Sequence, residues 1–478
     1  MSRQIEVNRV ITYKIGMRVV GFFSTIGLFL HFRVLNVVNH VAIAPFDDNP
    51  LSNIEKKYIP GSSISTPSSD PPPFTFAACL LVRDANVLLP EWLAYHYIFL
   101  PLRRLIIGVD PLSLTSPDWI LGVFNSTFSP DLKMTIWKDD EFIKDAAKRD
   151  WMLNLARNAH NVSSEELHKA YLIRQMAFNH RCLADLHQEA KESKEAINQT
   201  KPVWTLLLDV DEYLAFNHYE GGQDGPPRYC DPYGLQTFEE SECWQKYQEE
   251  VFAGRHPRGR LREFQDQTAA NFIDSGIDPM FTIKGSPCVS FTRTQMSGMH
   301  DYFTEKNSDE KRLDPLDNSY PIETRSLVTF RFRRHGPRQT NLQGKSMVDA
   351  TRYFNTKPYD IINPHRPLSY NCLGTLQGQR RKGPARFIHA NVTFRVNHYV
   401  GSPVEFNETR AYKVHGEEQI QERNYKITLN NHTDNTMQAW FDKFVNEVKD
   451  KKTALWMTRG LIEKAKEEIK HVSTRNNV

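Results

Sequence analysis

Four short apolar runs, separated by amphipathic stretches, set the pattern of the chain between positions 76 and 216. They are Phe76 to Val82, Leu105 to Val109, Lys133 to Trp137 and Val203 to Leu208. The stretch from Leu88 to Phe99 is amphipathic. That from His168 to His187 has helical periodicity, with Leu172, Met176, Leu183 and Leu186 on one side. Apolar runs that are continuous rather than alternating, and spaced by helices, predict a mostly parallel sheet covered on both faces. The fold class is therefore α/β, and no internal repeat is visible.

Beyond Phe216 the pattern loosens. Gly221 to Gly234 is rich in Gly and Pro, and Glu239 to Arg262 is charged and reads as a helix. Ser326 to Arg333 alternates like a strand, and Phe394 to Val400 is β-like. At the end Trp440, Phe444 and Val448 recur every fourth residue, and Leu455 to Ile469 continues an amphipathic helical pattern. Helices this polar serve packing or interaction more often than catalysis.

The N-terminal region follows different rules. Arg3, Arg9, Lys14 and Arg18 precede an apolar stretch from Val19 to Phe32, and hydrophobicity resumes from Val34 to Ala44. A spanning helix needs roughly 20 residues. Arg33, Asn36 and Asn39 interrupt this one, and a cleaved signal peptide has a similar layout, with Ala42-Ile43-Ala44 as its cleavage site. We read the segment as a signal-anchor, with a buried helix of a soluble protein as the bland alternative. Its basic flank comes first, so the positive-inside rule leaves the remainder lumenal or extracellular. From Ile59 to Pro73 the chain is rich in Pro and Ser, which cannot pack a core and suits an extended stem. The expected organisation is a cytosolic tail (1–18), an anchor (19–44), a stem (45–73), a nucleotide-binding half (74–216), an acceptor-side half (217–434) and a C-terminal helical segment (435–478).

Composition narrows the function. A formal charge of +3 over 478 residues is too small to argue for a nucleic-acid partner, and the local basic clusters read as solvated loops. Six cysteines without CxxC spacing argue against a zinc ribbon. Their even number permits disulfides, with Cys230 and Cys243 the natural local pair; buried free thiols are the alternative. Asn125, Asn161, Asn198, Asn391, Asn407 and Asn431 begin Asn-x-Ser/Thr sequons, all of them after the anchor.

Candidate chemistry collects where strands end. In an open parallel sheet, ligands sit beyond the carboxyl ends of the strands. The first strand ends at Arg83-Asp84, the second at Asp110, and the fourth at Asp209-Val-Asp211-Glu212. One such Asp would be an ordinary turn or cap residue; three at one edge suggest a built site. Apolar residues flank the Asp209 cluster, so its charges approach the interior unless something neutralises them. A divalent cation does so, and two oxygen ligands at a strand end leave its other positions open for phosphate. A solvent-exposed acidic turn is the bland alternative. His398, in Arg395-Val-Asn-His398-Tyr399, is a reasonable third ligand, although a lone His is more often structural.

These motifs, taken in order, carry a resemblance. They are Cys79 to Asp84, Leu89 to His96 with its Glu91-Trp92 and Tyr95-His96 pairs, Gly108-Val-Asp110, Trp204 to Phe216, Gly344 to Val348, and Asn397-His-Tyr399. From about Phe76 to Arg410 the chain resembles the GT-A glycosyltransferases of the family 92 (DUF23-type) group and their family 2-like relatives. The resemblance implies a nucleotide-sugar donor, commonly a UDP-sugar, with Mn2+ or Mg2+, and a glycan or glycoconjugate acceptor. It also implies a single-pass type II protein of the Golgi or endoplasmic reticulum membrane, with its catalytic domain in the lumen. Carried over, Asp110 would contact the nucleoside, Asp209 and Asp211 the metal-diphosphate, and His398 the metal. Arg174 and Gln175, on the helix before the Asp-x-Asp strand, would face the nucleotide. Arg83-Asp84-Ala85 stands where the family has Lys-Asn-Glu. An inverting transfer needs a carboxylate to take the acceptor proton, for which Asp301, after His300, and then Glu305 are the expected groups. Lys345 is a candidate for phosphate contact, though a lysine after a glycine is ordinarily exposed.

Two other readings compete. A phosphohydrolase with Asp209 as nucleophile, by resemblance to haloacid-dehalogenase-like enzymes, wants Thr or Val where Tyr213 stands and an earlier place in the domain. A non-catalytic lumenal binding protein on the same fold is the other.

Overall fold

A computed structural model of the chain describes residues 75–129, 131–158, 162–197, 202–216, 288–296, 324, 327–335, 340–352, 372–373, 394–399, 432–433, 437 and 439–476. The expected anchor and stem, the pair Cys230 and Cys243, the charged segment 239–262, and Asp301 and Glu305 lie outside the described residues. Among the described residues no helix is long and apolar enough to cross a membrane.

In chain order the elements are β1 (Thr75–Val82), α1 (Leu89–Phe99), β2 (Leu102–Val109), α2 (Asp118–Phe128), β3 (Lys133–Trp137), α3 (Asp139–Phe142), α4 (Ala146–Arg157), α5 (Ser164–Ile197), β4 (Val203–Leu207), β5 (Glu212–Phe216), β6 (Cys288–Met296), α6 (Val328–Arg331), β7 (Arg334–His335), β8 (Thr340–Asp349), β9 (Cys372–Leu373), β10 (Phe394–Tyr399), β11 (His432–Thr433), α7 (Ala439–Val448), α8 (Lys451–Leu455) and α9 (Leu461–Asn476). A π-helical turn, Trp456–Gly460, joins the last two helices.

The main sheet runs β3-β2-β1-β4-β8-β6-β10-β5, with β9 beside β6. Its first four strands are parallel, as expected. The remainder is mixed: β8 runs antiparallel to β4 and β6, β10 is parallel to β6, and β5 is antiparallel to β10. The molecule is thus a mixed α/β fold on a parallel-rich sheet.

The continuous apolar runs have the expected cause. On β1, Phe76, Ala78, Leu80 and Val82 pack on one face with α1, α2 and the C-terminal helices. Ala77 and Cys79 pack on the other with α3 and α5. A strand buried on both faces has no polar side to show. All eleven residues of α1 are buried, including Glu91 and His96, which marks it as the central helix of its layer.

Segment Ser326 to Arg333 departs from its strand expectation. Its described core is α6, a single helical turn, because the buried Glu91 carboxylate accepts from the amides of Val328 (2.6 Å) and Thr329 (2.9 Å) and from the Thr329 hydroxyl. Those amides are the orphan donors of a helix start. Cys79 of β1 is bonded to Cys182 of α5 across 103 positions, a pairing that the sequence left open. Cys288 is disulfide-bonded as well, and Cys372 of β9 is its register neighbour.

Candidate functional site

The carboxyl ends of β1, β2 and β4 lie at one edge, because these strands are adjacent and parallel. At the end of β2 the Asp110 carboxylate is fully enclosed. It accepts from Arg174 Nε at 3.0 Å and from the amide of Leu112 at 2.9 Å. Gly108 makes this approach possible. A Cβ there would stand 2.6 Å from the Phe178 ring of α5, so only a glycine lets that helix lie close enough to bring Arg174 over the strand end.

At the end of β1, Asp84 adopts a left-handed backbone (φ 48°) and turns its carboxylate into the next loop. Its Oδ1 accepts from the amides of Leu114 (2.6 Å) and Thr115 (3.2 Å) and from the Ser113 hydroxyl. Arg83 is half-buried beside it. The structure therefore has Asp84 shaping the 113–115 loop.

The turn after β4 holds the densest charge. Gln175 Nε2 donates to Asp209 Oδ1 at 3.0 Å, and Lys345 Nζ reaches Asp209 Oδ2 at 2.7 Å. The same ammonium lies 3.0 Å from Glu212 Oε2, while Arg293 holds Glu212 Oε1 at 3.0 Å. Glu212 Oε2 also accepts the Asp209 amide at 2.9 Å. Lys345 is 0 % exposed, which corrects the expectation of a solvated lysine: its side chain lies within the sheet and its charge is met by two carboxylates. Burial pulls its pKa down, but Asp209 and Glu212 outweigh that and hold it above the ordinary lysine value. Burial likewise raises Glu212, with Lys345 and Arg293 pulling it back. Sequence reasoning missed Arg293. The signal was a lone arginine in the otherwise uncharged Cys288–Met296 strand, a placement that asks for a buried counter-charge.

Asp211 has a different partner. Its Oδ2 lies 3.1 Å from His398 Nε2, and both side chains are buried. The pairing of β5 with β10 causes this: Glu212 stands opposite His398, and the Tyr399 amide extends the ladder by donating to Asp211 O at 2.8 Å. The expected residues Asp209, Asp211, Gln175, Lys345 and His398 are thus brought together, with Asp110 and Arg174 two strands away.

Trp92, Tyr95 and His96 of α1 hold β5 from outside. Strand β5 closes the sheet, so its outer backbone groups need partners. Trp92 Nε1 donates to Glu212 O at 3.0 Å, and Tyr95 donates to Leu214 O. The Leu214 amide donates to His96 Nε2, which leaves the proton on Nδ1 facing Trp92 O. Burial drives the His96 pKa down to about 3, which keeps the imidazole neutral and able to accept.

Carboxylate oxygen and imidazole nitrogen are ligand types that suit Mn2+ and, for the oxygen, Mg2+. Among the described residues no group of three or more His, Cys, Asp or Glu side chains is arranged to hold a metal ion, since Asp209 is turned to Lys345 and Gln175. The residues fit a cation held by Asp211 and His398 and completed by phosphate oxygens and water, the mode of many nucleotide sites. Lys345 and Arg293 neutralise two of the three acids from within the chain. Compared with protein-family models, curated proteins and solved structures, the chain has no match.

Proposed function

We infer that this chain is a metal-dependent glycosyltransferase on a GT-A-type fold, moving a sugar from a nucleotide-sugar, a UDP-sugar in the first instance, to a glycan or glycoconjugate. The observation that carries the reading is the approach of Asp211 and His398 to 3.1 Å at the edge where three parallel strands end in carboxylates. Asp211 and His398 would hold Mn2+ or Mg2+. When bound, the cation supplies Lewis-acid stabilisation of the departing diphosphate.

The chain's own groups do the rest. Asp110, enclosed by Arg174, fixes the turn at 110–113 that would border the nucleoside. Gln175 and Lys345 fix the Asp209 carboxylate, whose side chain is 33 % exposed and can accept from a ligand hydroxyl. Asp301 or Glu305 would take the acceptor proton in an inverting transfer. The Cys79–Cys182 disulfide supports an oxidising, lumenal setting behind an N-terminal anchor.

A thermal-shift screen of UDP- and GDP-sugars on the full chain, with and without Mn2+, tests the proposal, because a bound ligand stabilises by mass action. A Mn2+-dependent rise with a UDP-sugar is expected, and no rise with any nucleotide would remove the basis for the reading. One observation favours a second reading. Both oxygens of Asp209 are already engaged, as suits a nucleotide- or glycan-binding protein without turnover. Nucleotide binding with no transfer to any acceptor would select it.

A further inference from the structure

The acidic turn contains its own counter-cations. Asp209 and Glu212 share the Lys345 ammonium, at 2.7 Å and 3.0 Å, and Glu212 spends its other oxygen on Arg293 at 3.0 Å. Two carboxylates therefore face two permanent positive charges. Asp211 is outside this set, facing His398.

Lys345 does not reach the site by accident of a long side chain. Strand β8 lies between β4 and β6, with Lys345 in register with Phe291 and Ser346 with Leu207. The lysine thus rises from the middle of the sheet directly beside the β4 end. Having no exposed surface, it is not placed to grip a phosphate from solvent. An ammonium enclosed in this way acts on its neighbours. It directs one oxygen of Asp209 inward while Gln175 takes the other.

We propose that Lys345 is a positioning residue, an internal cation that withholds Asp209 from divalent metal and leaves Asp211 and His398 as the metal-facing pair. The proposal rests on the functional reading above for the metal's role, but its central claim concerns charge balance in this chain. Remove the ammonium, and the carboxylates of Asp209 and Glu212 share one positive charge fewer beside Asp211. Cation sites gain affinity with each added ligand charge, so losing a positive residue should improve metal binding. A merely structural lysine would show the reverse or nothing.

The test is Mn2+ titration of the full chain followed by the electron paramagnetic resonance signal of free Mn2+, without nucleotide or acceptor. Lys345→Gln should bind Mn2+ at least about ten-fold more tightly than the parent, or bind an additional equivalent. Lys345→Arg, which keeps the charge, should titrate like the parent. Adding Asp209→Asn to Lys345→Gln should abolish the gain. Should Lys345→Gln fail to fold, Lys345→Met, which keeps the length of the side chain without its charge and leaves the Glu212–Arg293 pair intact, should show the same gain through Asp209. A folded Lys345→Gln or Lys345→Met with no gain in Mn2+ binding overturns the proposal. A parent that binds no Mn2+ would overturn the metal part of the functional reading alone, because the gain is read against the parent.

Discussion

Asp211 and His398 are 187 positions apart in the chain and 3.1 Å apart in space. No local rule of folding brings them together. The register of β5 against β10 does, by setting Glu212 opposite His398 and extending the ladder to the Asp211 carbonyl. The outer edge of β5 is in turn held by Trp92, Tyr95 and His96 of α1. A buried helix thus fixes a strand, and the strand fixes the pair.

Asp211→Asn should abolish transfer, with a loss on the order of 100-fold or more, because it removes the ligand charge at nearly constant volume. The fold should survive, since the backbone ladder at this position does not need the carboxylate. Circular dichroism and a melting curve check the fold, and a transfer assay checks the loss. Activity near that of the parent would contradict the metal assignment.

His398→Ala should move the Mn2+ dependence of nucleotide binding to higher metal concentration by about 10- to 100-fold. A metal titration superimposable on the parent's would leave His398 as a partner that only orders the Asp211 turn.

Stability should fall as pH rises through the neutral range, and Glu91 is the reason. Burial pushes its carboxyl up to about 7, against the lowering by its Thr329 and Val328 hydrogen bonds, from an ordinary 4.5. Between those values the folded chain keeps a proton that the unfolded chain has released. The stabilisation is whole below about pH 4.5 and is lost as pH passes about 7, with a ceiling of about 3 kcal/mol. Glu91→Gln should be less stable than the parent in acid, because its amide faces the Val328 donor, yet flatter across pH 5 to 8. Melting temperatures across that range decide it; equal slopes in the two proteins would rule Glu91 out.

What could be read in advance divides along the sheet. The strands β1, β2 and β4 were legible because each packs apolar side chains on both faces, and β3, half-buried at the sheet edge, because it still carries Met134, Ile136 and Trp137. Of the later strands β10 was legible, from Phe394 to Val400, whereas β6 was not, since Thr292-Arg293-Thr294-Gln295 reads as a polar segment until its counter-charge at Glu212 is known. Segment 326–333 looked like a strand because alternation is a local signal, whereas its helical turn depends on Glu91, 237 positions earlier. Lys345 looked exposed for the same reason, as its carboxylates come from another strand end. Asp209, Asp211 and His398 were recognisable by residue type, but their division into a lysine-bound acid and a histidine-bound acid was not.

Gly108→Ala should weaken nucleotide binding without touching any ligand-facing group. Its new methyl would meet the Phe178 ring at 2.6 Å, so α5 must lift from β2. Overpacking of this kind costs about 1–3 kcal/mol, and the lift draws Arg174 off Asp110 and Gln175 off Asp209. Calorimetric titration with nucleotide, beside a melting curve, should show both losses. A destabilised variant with parental affinity would mean that the helix position does not set the site.

The Cys79–Cys182 bond offers the sharpest check on where this chain folds. It joins β1 to the helix that carries Arg174 and Gln175, and it closes a loop of 103 positions. Loop-closure entropy for a span this long predicts a contribution of about 4 to 5 kcal/mol, an upper figure if the unfolded chain keeps structure. Both sulfurs are buried, so a reductant should act on the unfolded chain far faster than on the folded one. Cys79→Ala/Cys182→Ala should therefore melt well below the parent, and the parent should resist dithiothreitol until it is heated. Non-reducing peptide mapping of the full chain expressed in eukaryotic cells should recover the 79–182 linkage. Recovery of both cysteines as free thiols from that material, with the melting point unchanged by the double substitution, would place folding in a reducing compartment and remove the lumenal setting from the proposed function.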